Sequence, residues 1–230
     1  MPLLTRMVGT PLAIDIWPGA VSALAPLLAD RRISSGGHVA VAVGPGQGEE
    51  IAALLRPRLA NAEFWTVEGG SLEAAHELAK RLREGFYDAL VGIGGGRTLD
   101  VAKHAASLVG LPVVTVATSL AHDGIASPVA SLSDGGRKAS YGVQMPIAVV
   151  VDLDYVRRSE PALRRSGIGD VVSNLSAITD VAAVRANVTA TPSTGSPVSR
   201  SASRQSAIAE RFETASPIPD RRIAGSLRLT

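Results

Sequence analysis

Short apolar runs alternate with longer segments of helical periodicity through about residue 178 of the chain. The runs are rich in β-branched residues and end at glycine or polar residues, which is typical of strands buried in a parallel sheet. The segments between them carry apolar residues at the spacing of amphipathic helices. This alternation predicts an α/β fold whose parallel strands are joined by right-handed crossovers. The predicted strands are residues 38–44, 62–70, 88–96, 112–119 and 147–154.

The predicted helices lie between these strands, at residues 48–60, 72–85 and 98–110. Ser71 directly precedes the second of them and is expected to cap its amino terminus. The apolar face of that helix is formed by Leu72, Ala75, Leu78, Ala79 and Leu82.

The pattern changes at about Val181, where a stretch rich in Ser, Thr, Pro, Arg and Ala begins. It has no sustained periodicity, which is typical of a disordered tail. A shifted reading frame in a GC-rich gene is the alternative explanation. We therefore predict an α/β domain over residues 1–154, the start of a helical domain over 155–180, and an atypical low-complexity tail over 181–230.

Composition narrows the functional classes. Hydrophobic residues make up 46% of the chain, enough for a packed core, and the net charge of +2 is too small to favour a nucleic-acid partner. The absence of cysteine excludes disulfides and thiolate-bound metals. No signal peptide and no membrane span are expected, since neither a basic region before a long apolar stretch nor a long apolar run is present. These features predict a cytoplasmic protein.

A glycine turn follows the third predicted strand, in GIGGGRTLDVAK (92–103). Glycines at this position let backbone amides approach a diphosphate, and a helix that begins near Thr98 would present free amides to the anion. A plain tight turn explains the same residues equally well. Asp100 and Lys103 follow on the helix, where they form either a solvated face or a local ion pair.

A polar loop follows the fourth predicted strand, in TSLAHDGIASPVASL (118–132). Polar loops beyond buried strands are usual places for ligand contacts, although the hydroxyls could instead cap a short helix. Asp123 could accept a hydrogen bond from a substrate hydroxyl. His122 is either a proton shuttle or a polar surface residue, and we favour the second interpretation.

A third segment, SGIGDVVSNLSAITD (166–180), resembles the start of a helix. We predict Gly169 at the helix start, Asp170 in the first turn, and Asn174 one turn further on the same face. An acidic residue there is commonly favourable with the helix dipole, so Asp170 alone is a poor metal candidate.

Together the three segments resemble the sn-glycerol-1-phosphate dehydrogenase family, which belongs with the iron- or zinc-dependent alcohol dehydrogenases, glycerol dehydrogenases and dehydroquinate synthase-like folds. The resemblance covers roughly residues 12–179. It implies NAD or NADP as cofactor, Zn²⁺ as metal, and hydride transfer that reduces dihydroxyacetone phosphate to sn-glycerol 1-phosphate. It implies a substrate contact for Asp123 and both a metal and a substrate contact for Asp170. A homo-oligomer is also expected. The implied NAD(P) contacts are Gly94, Gly95, Gly96, Thr98, Asp100, Thr118, Ser119 and Ser127.

The chain departs from this family in its histidines. Family members complete the metal site with two histidines downstream of the aspartate, whereas the four histidines of this chain all precede Asp170. Catalytic zinc normally needs three protein ligands, so we expect an incomplete site and no turnover by the chain as given. The alternatives are a non-catalytic nucleotide-binding fragment, a related polyol-phosphate dehydrogenase and a sugar-phosphate cyclase.

The choice between NAD and NADP stays open at this point. Glu49 or Glu50, after the first predicted strand, would favour NAD by binding the 2′-hydroxyl of the adenosine ribose, and nearby Arg56 or Arg58 could accommodate a 2′-phosphate.

Overall fold

The structure is a computed structural model that describes residues 10–189. Within that range the side chains of Asp123, Asn174, Leu175, Ala177, Ile178 and residues 181–189 are outside the description. The chain divides into two structural units at residues 178 and 179, and the account below concerns the first unit. Of the predicted tail, residues 190–230 lie outside the described residues.

Six parallel strands form the central sheet, in the order β1-β8-β5-β4-β2-β3. All five predicted strands are present, and the edge strand β1 is an additional one. The predicted α/β fold class is therefore confirmed. The strands of the sheet are β1 (Ala13–Trp17), β2 (Val39–Val43), β3 (Glu63–Thr66), β4 (Ala89–Gly94), β5 (Val113–Ala117) and β8 (Ala148–Asp152).

The helices cover both faces of this sheet, which is why the inner strands are apolar on both sides. Side chains of β2 alternate between the faces: Val39, Val41 and Val43 pack into one hydrophobic cluster, and Ala40 and Ala42 into the other. The valine face meets α1 and α2, whereas the alanine face meets α3 and α4. The helices are α1 (Leu24–Asp30), α2 (Gln47–Leu55), α3 (Leu72–Glu84), α4 (Gly96–Val109), α5 (Leu153–Arg158) and α6 (Pro161–Thr189).

Helix α3 forms as the sequence predicts. The Ser71 side chain accepts a hydrogen bond of 3.2 Å from the Ala74 amide, so Ser71 caps the helix as expected. Its predicted apolar face is buried at Ala75, Leu78, Ala79 and Leu82.

An antiparallel hairpin, which the sequence analysis did not predict, lies outside the main sheet. It pairs β6 (Val129–Asp134) with β7 (Arg137–Gly142). Both turn residues, Gly135 and Gly136, have positive φ angles, of 53° and 82°. Positive φ at both central residues is the geometry of the two-residue hairpin turn that favours glycine.

The strand order reverses between β2 and β4. From β2 the chain adds β3 on one side, and from β4 it adds β5 and then β8 on the other. Ligands of open α/β sheets bind at the carboxyl ends of the strands that flank such a reversal. Residues 44–46 and 94–96 lie at that crevice because they follow β2 and β4.

Helix α6 corrects one prediction. It begins at Pro161, so Gly169 and Asp170 lie in the helix interior and not in its first turn. Proline suits the first helical position because its φ angle is already helical and its missing N–H is not needed there. Gly167 is accepted within the helix because a Cβ atom there would collide with the Leu120 carbonyl oxygen. Among the helices of the described residues, none is long and apolar enough to cross a membrane.

Candidate nucleotide-binding site

The glycine turn is tied to the neighbouring strand and helix by close contacts. Gly94 has a φ angle of +156°, which side-chain-bearing residues rarely adopt, and a Cβ atom on it would lie 2.9 Å from Thr98. Its carbonyl oxygen accepts a hydrogen bond of 3.0 Å from the Thr118 amide. The turn after β4 and the loop after β5 are thereby fixed to each other.

A second turn, after β2, meets the same threonine. A Cβ atom on Gly44 would collide with the Thr98 hydroxyl, and the Gly44 amide donates a 2.8 Å hydrogen bond to the Ile93 carbonyl. Thr98 is buried between the two turns. Gly44 was not among the predicted cofactor contacts, although its position directly after a buried strand, in VGPG, was a usable signal.

The amino terminus of α4 is open towards the crevice. Its N-cap residue is Gly95, and no side chain caps the first turn. The space where a Gly95 Cβ atom would lie has no protein atom within 4 Å among the described residues. Uncapped amides at a helix start, with the positive end of the helix dipole and room above them, make a suitable place for a phosphate group.

Asp100 and Lys103 form a buried ion pair on α4, which is one of the two arrangements that we considered. Asp100 Oδ1 lies 3.0 Å from Lys103 Nζ, and the Lys103 side chain is 0% exposed. The solvated-face alternative is therefore wrong. The Asp100 Oδ1 atom is buried and, apart from this ion pair, receives no hydrogen bond among the described atoms.

Hydrogen bonds fix the polar loop after β5. Thr118 and Ser119 are buried, and Ser119 Oγ accepts a hydrogen bond of 3.3 Å from the Ala121 amide. In β5, Thr115 donates its hydroxyl to the Ile125 carbonyl at 2.8 Å. Ser127 is half-buried, and its hydroxyl donates to the Val129 carbonyl at 3.3 Å.

His122 packs beside Gly96 in the first turn of α4. A Cβ atom on Gly96 would lie 2.7 Å from its ring, and one on Gly124 would lie 2.8 Å from its Nδ1 atom. Both ring nitrogens are buried, so the surface role that we favoured for His122 is wrong. Asp123 follows at the start of a short 3₁₀ helix (Asp123–Ile125), and its side chain lies outside the described residues.

Helix α6 contacts the polar loop near Leu120 and Ala121. Ser166 donates its hydroxyl to the Ala121 carbonyl at 3.2 Å, and Gly167 lies against the Leu120 carbonyl. Asp170 is half-buried and lies one helical turn beyond Ser166, on the same face.

The comparisons with known proteins agree with this geometry. The sequence profile of the family described as iron-containing alcohol dehydrogenase matches residues 15–159. The chain belongs to the iron-containing alcohol dehydrogenase family. The predicted family is thereby confirmed, and the match includes the glycine turn and the polar loop.

Curated relatives of this chain carry a more specific name. It is 44% identical over 120 residues to glycerol-1-phosphate dehydrogenase (NAD(P)+) of Archaeoglobus fulgidus, covering 51% of this chain and 34% of that protein. It is 33% identical over 178 residues to the protein of the same name from Methanothermobacter thermautotrophicus, covering 76% of this chain and 50% of that one. The chain thus spans half or less of the length of these curated relatives.

A solved structure shows the same fold. Glycerol dehydrogenase from Schizosaccharomyces pombe is similar over 73% of this chain and 44% of that chain, with a TM-score of 0.63 and 21% sequence identity.

The described residues bring most of the predicted cofactor contacts of this chain together. Gly94, Thr98 and Thr118 are in direct contact, and Gly95, Gly96 and Asp100 adjoin them on α4. The described residues do not form a metal site in the same way. Among the described residues, no group of three or more His, Asp or Glu side chains could hold a metal ion.

The residues considered for NAD or NADP preference have other contacts. Glu50 forms an exposed 2.9 Å ion pair with Arg158, and this hydrogen bond is the main cause that raises the pKa of the Arg158 guanidinium. Arg56 stacks over the Phe64 ring at 4.4 Å, and Arg58 donates to the Ser22 carbonyl at 3.4 Å.

Proposed function

We propose that the described part of this chain binds the dinucleotide of an NAD(P)-dependent sn-glycerol-1-phosphate dehydrogenase, an enzyme that reduces dihydroxyacetone phosphate to sn-glycerol 1-phosphate. The observation that carries the proposal is the uncapped start of α4 beneath the open space over Gly95. Because this space lies where the strand order reverses, it has the position and the chemistry that a diphosphate needs. The relatives named glycerol-1-phosphate dehydrogenase support the substrate.

In this proposal the turn holds the diphosphate and the neighbouring loop orients the nicotinamide. Amides at Gly95 and Gly96 bind the phosphate oxygens, and the buried Thr98 keeps the two glycine turns at a fixed separation. Thr118, Ser119 and Ser127 line the nicotinamide side. The bound nicotinamide supplies the hydride.

Asp123 and Asp170 are proposed as substrate contacts, and Asp170 also as one metal ligand. The described residues do not fit a metal site, since Asp170 belongs to no group of ligands there. We therefore expect this chain to bind nucleotide without reducing dihydroxyacetone phosphate.

The test is a single methyl group placed in the open space. In Gly95→Ala the backbone angles of φ −85° and ψ −176° suit alanine, and no protein atom within 4 Å opposes the new Cβ atom. The variant should keep the wild-type stability yet bind NADH or NADPH at least about tenfold more weakly by calorimetry, because the methyl group occupies the diphosphate position. The matched control is Gly142→Ala on β7, where a Cβ atom also meets no described residue within 4 Å.

The dinucleotide affinities of the three proteins test the proposal. Binding by the wild type and by Gly142→Ala, with loss in Gly95→Ala, supports the proposal. Equal affinity in all three proteins, or no binding of either dinucleotide by the wild type, would refute it. Titrations with NADH and NADPH in parallel give the cofactor preference. The cytoplasmic location and the homo-oligomer remain part of the proposal, and fractionation and light scattering test them.

A further inference from the structure

We propose that Lys103 is a positioning residue that fixes Ser127 on the nicotinamide side of the cleft relative to the diphosphate side. This inference rests on the proposed function. It assigns a purpose to a charged side chain that the fold has buried completely, which proteins rarely do.

Lys103 Nζ has three oxygen partners from two parts of the chain. One is Asp100 Oδ1, 3.0 Å away on its own helix. The others are the main-chain carbonyls of Val129 at 2.5 Å and Ser127 at 3.4 Å, on the two sides of Pro128. Two of the three ammonium donors therefore bind loop carbonyls, and the Asp100 carboxylate supplies the opposing charge.

The two carbonyls connect Lys103 to the predicted nicotinamide contact. The Val129 carbonyl that accepts from Lys103 also accepts the Ser127 hydroxyl at 3.3 Å. Lys103 thus fixes the Ser127 main chain directly, and it fixes the oxygen that orients the Ser127 side chain. The loop is fixed to the same helix whose first turn holds the diphosphate in the proposal.

The rest of the loop has anchors of its own. Thr115 donates to the Ile125 carbonyl, and the Thr118 amide donates to the Gly94 carbonyl. Loss of Lys103 should therefore loosen Ser127, whereas the Val143 amide still binds the Pro128 carbonyl and residues 118–125 stay in place. The main-chain amides of Gly95 and Gly96 would keep their positions, while the nicotinamide contact would weaken.

Stability alone does not explain a lysine here. A buried ion pair is often no more stabilising than well-packed apolar side chains of similar volume, and methionine has nearly the length of lysine. The three oxygen atoms around Nζ instead require a donor at one defined point. That requirement determines the geometry of the loop.

The experiment compares a complete dinucleotide with one that lacks the nicotinamide. Calorimetry measures the affinities of wild type and Lys103→Met for NADH and for ADP-ribose, or for NADPH and 2′-phospho-ADP-ribose if the wild type prefers NADPH. We expect the reduced dinucleotide to bind at least about tenfold more weakly to the variant, and ADP-ribose to change by less than about threefold. The matched control is Lys80→Met, a substitution of an exposed lysine on α3, which should change neither affinity.

A general loss of structure would lower the affinity for both ligands equally. The ratio of the two affinities therefore distinguishes a positioning role of Lys103 from a role in folding. An unchanged ratio in a folded Lys103→Met protein overturns the inference while leaving the proposed function intact. No binding of either ligand by the wild type refutes both. If Lys103→Met does not fold because Asp100 is left buried without its cation, the same ratio is measured in Asp100→Asn/Lys103→Met against Asp100→Asn.

Discussion

Two glycines in helix α6 should respond in opposite directions to the same substitution. Gly167→Ala and Gly169→Ala each add one methyl group, two residues apart in the helix interior. Alanine at either site should stabilise the helix by about 0.5–1 kcal/mol, since glycine loses more backbone entropy on folding. At Gly169 no described residue outside the surrounding turns of the helix comes within 4 Å of the new Cβ position, so nothing described opposes this gain.

At Gly167 the new methyl group meets the Leu120 carbonyl oxygen. That oxygen belongs to the backbone and cannot rotate away as a flexible side chain could. Overpacking of this kind costs about 1–3 kcal/mol. After the helical gain is subtracted, Gly167→Ala should be less stable than wild type by up to about 2.5 kcal/mol, and Gly169→Ala more stable by about 0.5–1 kcal/mol.

Urea unfolding followed by circular dichroism at a helical wavelength measures both differences, and each variant serves as the other's control. Weakened protection of the Ala121 region in hydrogen exchange should accompany Gly167→Ala, because Ser166 also binds that loop. Equal stabilisation by the two substitutions would show that α6 does not pack on the loop, and it would remove the basis for placing Asp170 near the cleft.

Two further predictions concern stability. The buried Asp152 carboxylate accepts three main-chain amides at 3.0–3.1 Å, so Asp152→Asn should lose about 2–4 kcal/mol in urea unfolding. Asp154→Asn should lower the free energy of unfolding by less than about 1 kcal/mol, since the ion pair of Asp154 with Arg157 is exposed. Similar losses in the two variants would contradict the stabilising role of the Asp152 carboxylate. Burial, and then repulsion by His76, lowers the pKa of His104. As pH falls below about 6.5 the unfolded state takes up a proton that folded His104 resists, so stability falls. His104→Gln should reduce this slope between about pH 7 and 5, and an unchanged slope would refute the reasoning.

The parts of the fold that the sequence predicted are those whose pattern depends on burial alone. Strand β2 is apolar on both sides because helices cover both faces of the sheet, and its sequence is therefore a continuous apolar run. Strand β1 leaves none, since Ile14 and Ile16 are exposed at the sheet edge and polar residues interrupt the run. The hairpin was missed although Gly135 and Gly136 between two alternating segments were a recognisable turn signal.

The candidate site divides in a similar way. The glycine turn was predictable because glycine is needed where the backbone and a ligand approach closely. The contact of Gly44 with Thr98 was not, because it depends on which strands are neighbours in the sheet. Lys103 was ambiguous for a related reason: its burial is caused by the residues around Ser127, which are distant in sequence.

The position of β1 constrains how the protein is made. Among the described strands its one neighbour is β8, and their register pairs Ala13 with Ala148. During synthesis the main chain of β1 therefore leaves the ribosome long before the strand that will pair with it. The Asp152 carboxylate, which binds the amides of Gly19 and Val21 just after β1, is made later still. The sheet thus closes only after residue 152 has been translated, and chaperones have their longest opportunity to act on the first strand of the chain.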